Sequence, residues 1–156
     1  AALQWVPHPH EVLERLIRGL PPNGQLALQV PGQDDYPTHA IAATIARREH
    51  FATMLSGWVR RTHALGVREY ASELDRLGMP EIHARVQGFG HHLRARDALV
   101  DWVDGSLLRA YRARLSDEGF AAFVEAYREE LGRQLPDVRP FYFPFTRLFV
   151  HAVRGV

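Results

Sequence analysis

Nine histidines and nineteen basic residues, every one of them arginine, set the chemistry open to this 156-residue chain. With no cysteine, disulfides, thiol nucleophiles and thiolate metal sites are excluded. The closest histidine pairs are His8-x-His10 and His91-His92. Neither has the i, i+4 helical spacing or a well-placed third ligand, so solvated or turn histidines are expected and no metal site. Gly88-Phe89-Gly90 lacks the third glycine and the following helix start of a phosphate loop. A nucleophile elbow of the G-x-S-x-G type is absent. What remains is arginine: a GC-rich coding bias is the plain cause of the lack of lysine, and a demand for planar, bidentate donors at a few sites is the alternative. Arg109, after Leu107-Leu108, and Arg147, before Leu148-Phe149, stand among apolar neighbours. An arginine buried there needs an anion, from an internal aspartate or glutamate or from a ligand.

The elements that must position these residues follow from periodicity. Apolar Val12, Leu13, Leu16, Ile17 and Leu20 make a helical stripe over His8 to Leu20, stopped by Pro21-Pro22-Asn23-Gly24. Gln25 to Val30 reads as a short strand, and helix, turn, strand is half of a parallel βαβ unit. A polar loop from Gly32 to Pro37 leads to a helical stretch over Thr38 to Arg61, with Thr38 as N-cap. Val67 to Leu77 is a second helix. Glu81 to His91 is strand-like, and Gly88 and Gly90 in it suggest a bulge or a close backbone approach. Arg94 to Leu115 reads as one or two helices with a break at Gly105. Ser116 then caps a longer helix through Phe120, Phe123, Val124, Tyr127, Leu131 and Leu135. Phe145 to Val153 closes the chain as a strand.

Composition narrows the function class. Hydrophobic residues at 46% and charged residues at 24% are those of one soluble globular domain. A net charge of +1 argues against a nucleic-acid partner. No apolar run approaches the ~20 residues of a membrane span and no signal peptide opens the chain, so a cytoplasmic protein is the default. The apolar opening Ala1-Ala2-Leu3-Gln4-Trp5, without methionine, reads as the interior of a longer protein.

Three stretches and the end of the chain carry a resemblance. Ala2-Leu3-Gln4-Trp5-Val6-Pro7 resembles the segment after the fourth strand of the trans-aconitate methyltransferase family, a branch of the class I S-adenosylmethionine-dependent methyltransferases. Leu26-Ala27-Leu28-Gln29-Val30-Pro31, with Pro37-Thr38-His39, resembles that family's fifth strand and its P-T-H element. Leu99-Val100-Asp101-Trp102-Val103, then Leu107-Leu108-Arg109, resembles its I-D-W-V and G-L-R segments. Phe143-Pro144-Phe145-Thr146-Arg147-Leu148-Phe149-Val150 looks like its final strand, departing from it in Phe145-Thr146, where the family more often has proline directly before the arginine.

The resemblance covers essentially the whole chain and implies the C-terminal part of a Rossmann-like α/β methyltransferase. Three short strands are expected, the last lying between the other two and antiparallel to the second. Helical substrate-cap insertions are expected at about 38–78 and 94–135. The implied reaction is O-methylation of a small polycarboxylic acid such as trans-aconitate, with S-adenosylmethionine as cofactor. Leu3, Gln4 and Trp5 would lie by the cofactor, and His39, Tyr70, Trp102, Arg109 and Arg147 by the substrate. Trp102 and Tyr70 have a packing role as the alternative, and Arg109 and Arg147 an internal ion pair. No catalytic triad is implied, because the carboxylate is already ionised at neutral pH, its pKa being about 4. The glycine-rich loop and the acidic residue that grip the cofactor in such folds are not in this sequence, so weak or no cofactor binding and no activity are expected of it alone. A homodimer through the apolar edge of Gln25–Val30 is also expected. A malonyl-carrier-protein methyltransferase of biotin synthesis and a non-catalytic helical binding module stay open beside this reading.

Overall fold

The computed structural model describes residues 2–32 and 37–156. After a 3-10 turn at Leu3–Trp5 come α1 (Pro9–Arg18), β1 (Gln25–Pro31), α2 (Pro37–Ala46), α3 (Glu49–Met54) and α4 (Val67–Arg76). Then follow β2 (Glu81–Leu93), α5 (Ala98–Val103), a π turn (Asp104–Leu108), α6 (Arg109–Arg112), α7 (Asp117–Gln134) and β3 (Phe141–Val153). The strands form one sheet in the order β1-β3-β2, with the last strand in the middle as expected. β1 runs antiparallel to β3, from Gln25 opposite Val153 to Pro31 opposite Arg147. On the other side His83 stacks on His151, Arg85 lies over Phe149 and His92 meets Tyr142, so rising numbers on β2 meet falling numbers on β3 and that pair is antiparallel too. The parallel partner that a helix-turn-strand start implies for β1 is not found among the described residues.

The described residues fall into a sheet unit (2–32, 62–89 and 144–156) and a helical unit (37–61 and 90–143). In the sheet unit, period-4 spacing on the helices meets period-2 spacing on the strands. Leu13 and Ile17 of α1 and Tyr70 and Leu74 of α4 bury themselves on Leu26, Val30, Leu148, Val150 and Ala152. The strands' alternate residues face the other way and line a groove of about 780 Å3 that includes Ala27, Gln29, His83, Arg85, Phe149 and His151. Arg154 closes the C-terminal end of α1, its guanidinium donating to the carbonyls of Ile17, Arg18 and Leu20. A cation on the last carbonyls of a helix also complements its dipole. The helix α4, expected within the first helical insertion, groups with this sheet unit.

The helical unit is built around α7. Ser116 caps it, its Oγ accepting from the Gly119 N–H at 3.1 Å, and Asp117 and Glu118 stand in the first turn. Phe123 of α7 meets the ring edge of Phe51 at 5.3 Å and stacks on Tyr111 at 4.5 Å. The Tyr127 hydroxyl donates to the Thr38 carbonyl. Arg48 reaches Glu130 at 2.8 Å.

Four local expectations are corrected. Thr38 is not a cap but a buried residue inside the first turn of α2, which starts at Pro37. The stretch 38–61 is two short helices, because Arg48 turns extended (φ −62°, ψ 137°) between them. Gly105 does not break a helix but sits in the π turn that joins α5 to α6. β3 begins at Phe141, four residues early, with Pro144 accommodated inside the strand at an exposed position. The loop expected over 32–37 lies largely outside the described residues. Of the two glycines on β2, Gly90 answers the expected close approach, since a Cβ there would lie 2.6 Å from the Tyr142 ring, whereas Gly88 faces open space.

Candidate functional site

In the sheet unit the 3-10 turn holds the proposed cofactor residues. Its turn is closed by the Trp5 N–H on the Ala2 carbonyl at 2.9 Å. Leu3 is buried in the core cluster, and the Gln4 carbonyl accepts from the His63 N–H at 3.1 Å. Anchored on both sides, the turn leaves Trp5 half-exposed, at 48%. A half-exposed indole on a fixed backbone offers a flat face for a planar ring.

Tyr70 is fully buried among the core residues of the same unit. Burial pushes its hydroxyl above the ordinary tyrosine value; the Leu65 backbone draws it back somewhat and Glu69 adds to the rise. Its ring is inaccessible from solvent, which is what the packing alternative requires. Arg147 lies on β3 opposite Pro31, half-buried, with its guanidinium carbon 5.1 Å from the centre of the Phe145 ring. No carboxylate among the described residues forms an ion pair with it.

In the helical unit the residues stand differently from their sequence setting. Arg109 is exposed, not buried among its apolar neighbours. The π turn widens the helix before it, so that Leu107 and Leu108 both enter the core and Arg109 emerges on the outside. It too has no ion pair with a carboxylate among the described residues. Trp102, for which packing is the alternative to substrate contact, is 42% exposed. His91 tilts against it at 4.7 Å between ring centres, and the ring of Phe143 meets it edge-on at 5.6 Å. His39 is half-buried in the first turn of α2, with Nδ1 3.3 Å from the Thr38 hydroxyl oxygen.

Two features escape the sequence. His91 and Phe143 are brought to Trp102 only by the pairing of β2 with β3, so no local pattern announces that aromatic group. Tyr111 is the second: fully buried, with its hydroxyl pushed up by burial, while the Arg60 backbone and the charges of Arg60 and Arg47 pull it down. Arginines from two separate segments thus bring positive potential to one hydroxyl. The helical unit therefore carries a half-exposed aromatic group at Trp102 and an exposed arginine at Arg109.

The comparisons bear on the whole chain. No family model matches it. It is 35% identical over 160 residues to a curated Deinococcus radiodurans protein named trans-aconitate 2-methyltransferase, which covers 99% of the chain and 61% of that protein. A Rhizobium meliloti protein of the same name is 32% identical, over 100% of the chain and 62% of its own length. One from Mycobacterium tuberculosis is 34% identical, over 99% and 60%. The chain thus spans about three fifths of the curated relatives it matches. Among solved structures, a Bacillus halodurans C-125 protein provisionally called a methyltransferase superposes over 99% of the chain and 67% of itself, with a TM-score of 0.50 at 16% identity. That likeness is one of fold.

Proposed function

We propose that this chain is the acid-binding portion of an S-adenosylmethionine-dependent O-methyltransferase of the trans-aconitate 2-methyltransferase family, whose curated members it matches at 32–35% identity over about three fifths of their length. The substrate class is a small polycarboxylic acid such as trans-aconitate. The observation that carries this reading is Arg109, held outward by the π turn and without a carboxylate partner among the described residues. An unneutralised arginine fork suits a carboxylate of the acid other than the one methylated. Within the same helical unit Trp102 would supply a flat wall and His39 a further donor, while Arg147, in the sheet unit, is a separate candidate donor. Tyr70 would support the sheet from inside and touch no ligand.

S-adenosylmethionine, when bound, supplies an electrophilic methyl group on a positively charged sulfur. Arg109, Trp102 and His39 would hold the acid so that one of its carboxylates is left free to take up that methyl group as an ester. No proton moves, so the chain's residues need only hold the acid in line and exclude water. Trp5 fits an adenine face by its exposure and its fixed turn, with Leu3 and Gln4 as the turn's anchors. The proposed partners are thus the acid and the cofactor.

The test is Arg109→Ala in the enzyme that contains this chain, assayed against trans-aconitate, a malonyl thioester and a monocarboxylic acid. Loss of one charge-assisted partner costs about 1.5–3 kcal/mol, so kcat/KM for the tricarboxylate should fall roughly 10- to 150-fold. The melting temperature should hardly move, because the side chain is exposed. Unchanged kinetics would remove Arg109 from the site, and a preference for the malonyl thioester would replace the acid class.

A further inference from the structure

The geometry points to a divalent transition-metal site on the open face of the sheet, formed by Glu81 and His83 of β2 and His151 of β3. This inference is independent of the methyltransferase reading. Residues two apart on a strand share a face, which puts Glu81 and His83 side by side. The antiparallel pairing then sets His151 opposite them, its ring stacked on that of His83 at 6.0 Å between centres and 24° between planes. One ligand atom from each of the three lies within 4.8 Å of the others, and Glu81 Oε1 is already 3.1 Å from His83 Nε2. Metal–nitrogen and metal–oxygen bonds of about 2.0–2.1 Å in a tetrahedral site ask for ligand atoms roughly 3.3 Å apart. Glu81 and His83 have the room to close that gap by side-chain rotation, being 57% and 69% exposed.

The donor set decides the ion. Two imidazoles and one carboxylate, with no thiolate, suit Zn2+ and its neighbours in the Irving–Williams order rather than Ca2+ or Mg2+, which favour all-oxygen shells. Three protein ligands leave a position for water. An outer partner is present as well: Gln25 Oε1 on β1 lies 3.2 Å from His151 Nε2 and holds that ring in place, as second-shell groups do for ligating histidines. Arg85, on the same face of β2, is drawn over the Phe149 ring, 5.6 Å from its centre. Sequence spacing leads to the expectation of no metal site, because a cross-strand pair 68 positions apart has no local signature.

The experiment titrates Zn2+ into the untagged chain after stripping with chelator, by calorimetry, with Co2+ absorbance as a second probe of coordination. One Zn2+ per chain is expected. Even an outer-shell change costs about 10–100-fold in metal affinity, so His83→Ala and His151→Ala should each weaken binding at least roughly tenfold. Glu81→Gln, which keeps the shape and removes the charge, should weaken it too. His10→Ala and His91→Ala should leave it unchanged. Circular dichroism checks folding, and if His151→Ala does not fold, the exposed His83→Ala decides alone. Absence of Zn2+ binding, wild-type affinity in His83→Ala, or loss of binding in His91→Ala would each overturn the assignment.

Discussion

Glu73 is a residue whose chemistry only the folded chain shows. Arg76 grips its carboxylate from one turn on, Nε to Oε2 at 3.0 Å and the terminal nitrogen to Oε1 at 2.6 Å, and His10 approaches at 3.2 Å. The Arg76 hydrogen bonds hold this carboxyl below the usual carboxylate value, with burial opposing and His10 assisting. A carboxyl depressed on folding contributes stability that is present above its unfolded value and disappears as pH falls through the folded one. Glu73→Gln should therefore destabilise by about 1 kcal/mol at pH 7, a figure kept small by solvent screening of Arg76. The gap between variant and wild type in thermal melts should close below about pH 4. A gap that stays constant down to strong acid would mean that packing, not charge, is lost. At this scale the sequence shows which types are present but not their exposure. Arg109 reads as buried from its apolar neighbours, yet the π turn shifts the helical register and puts it outside.

Among the elements, legibility follows the length and regularity of the pattern. α1, α4 and α7 carry full apolar stripes and lie where periodicity puts them, with Ser116 and the Pro21–Gly24 turn marking boundaries by known chemistry. The break between α2 and α3 escapes because apolar spacing continues across it while the backbone turns extended at Arg48. The early start of β3 escapes because Pro144 looks like a strand breaker, although it takes an exposed position. β1 raises a further matter. Among the described strands it pairs only with β3, so its other edge is open. Leu26 and Val30 are turned into the core, which leaves Ala27 and half-buried Leu28 as the apolar part of that edge. Such an edge recruits a second strand. Light scattering should show a concentration-dependent dimer of this chain, and Ala27→Lys should return it to monomer. A monomer at high concentration would discard the pairing.

For the whole molecule, a fold that covers three fifths of its relatives' length bears on binding. The described residues include the Leu3–Trp5 turn but no glycine-rich strand-loop-helix, and that loop supplies the main grip on a nucleotide-like ligand in such folds. Calorimetry of the chain alone should accordingly find S-adenosylmethionine binding well short of micromolar, or about −8 kcal/mol; micromolar affinity would place the grip in this part after all. Among the described residues no helix is long and apolar enough to cross a membrane. The distribution of the three indoles has an optical consequence. Trp5 stands half-exposed in the sheet unit and Trp102 half-exposed in the helical unit, whereas Trp58 is partly covered, with Arg114 stacked over it at 3.8 Å and Tyr111 against its edge. Each proposed ligand face thus carries its own native chromophore. Emission that acrylamide quenches comes chiefly from Trp5 and Trp102, and with either one replaced by phenylalanine the remaining signal reads cofactor or acid separately, without any label.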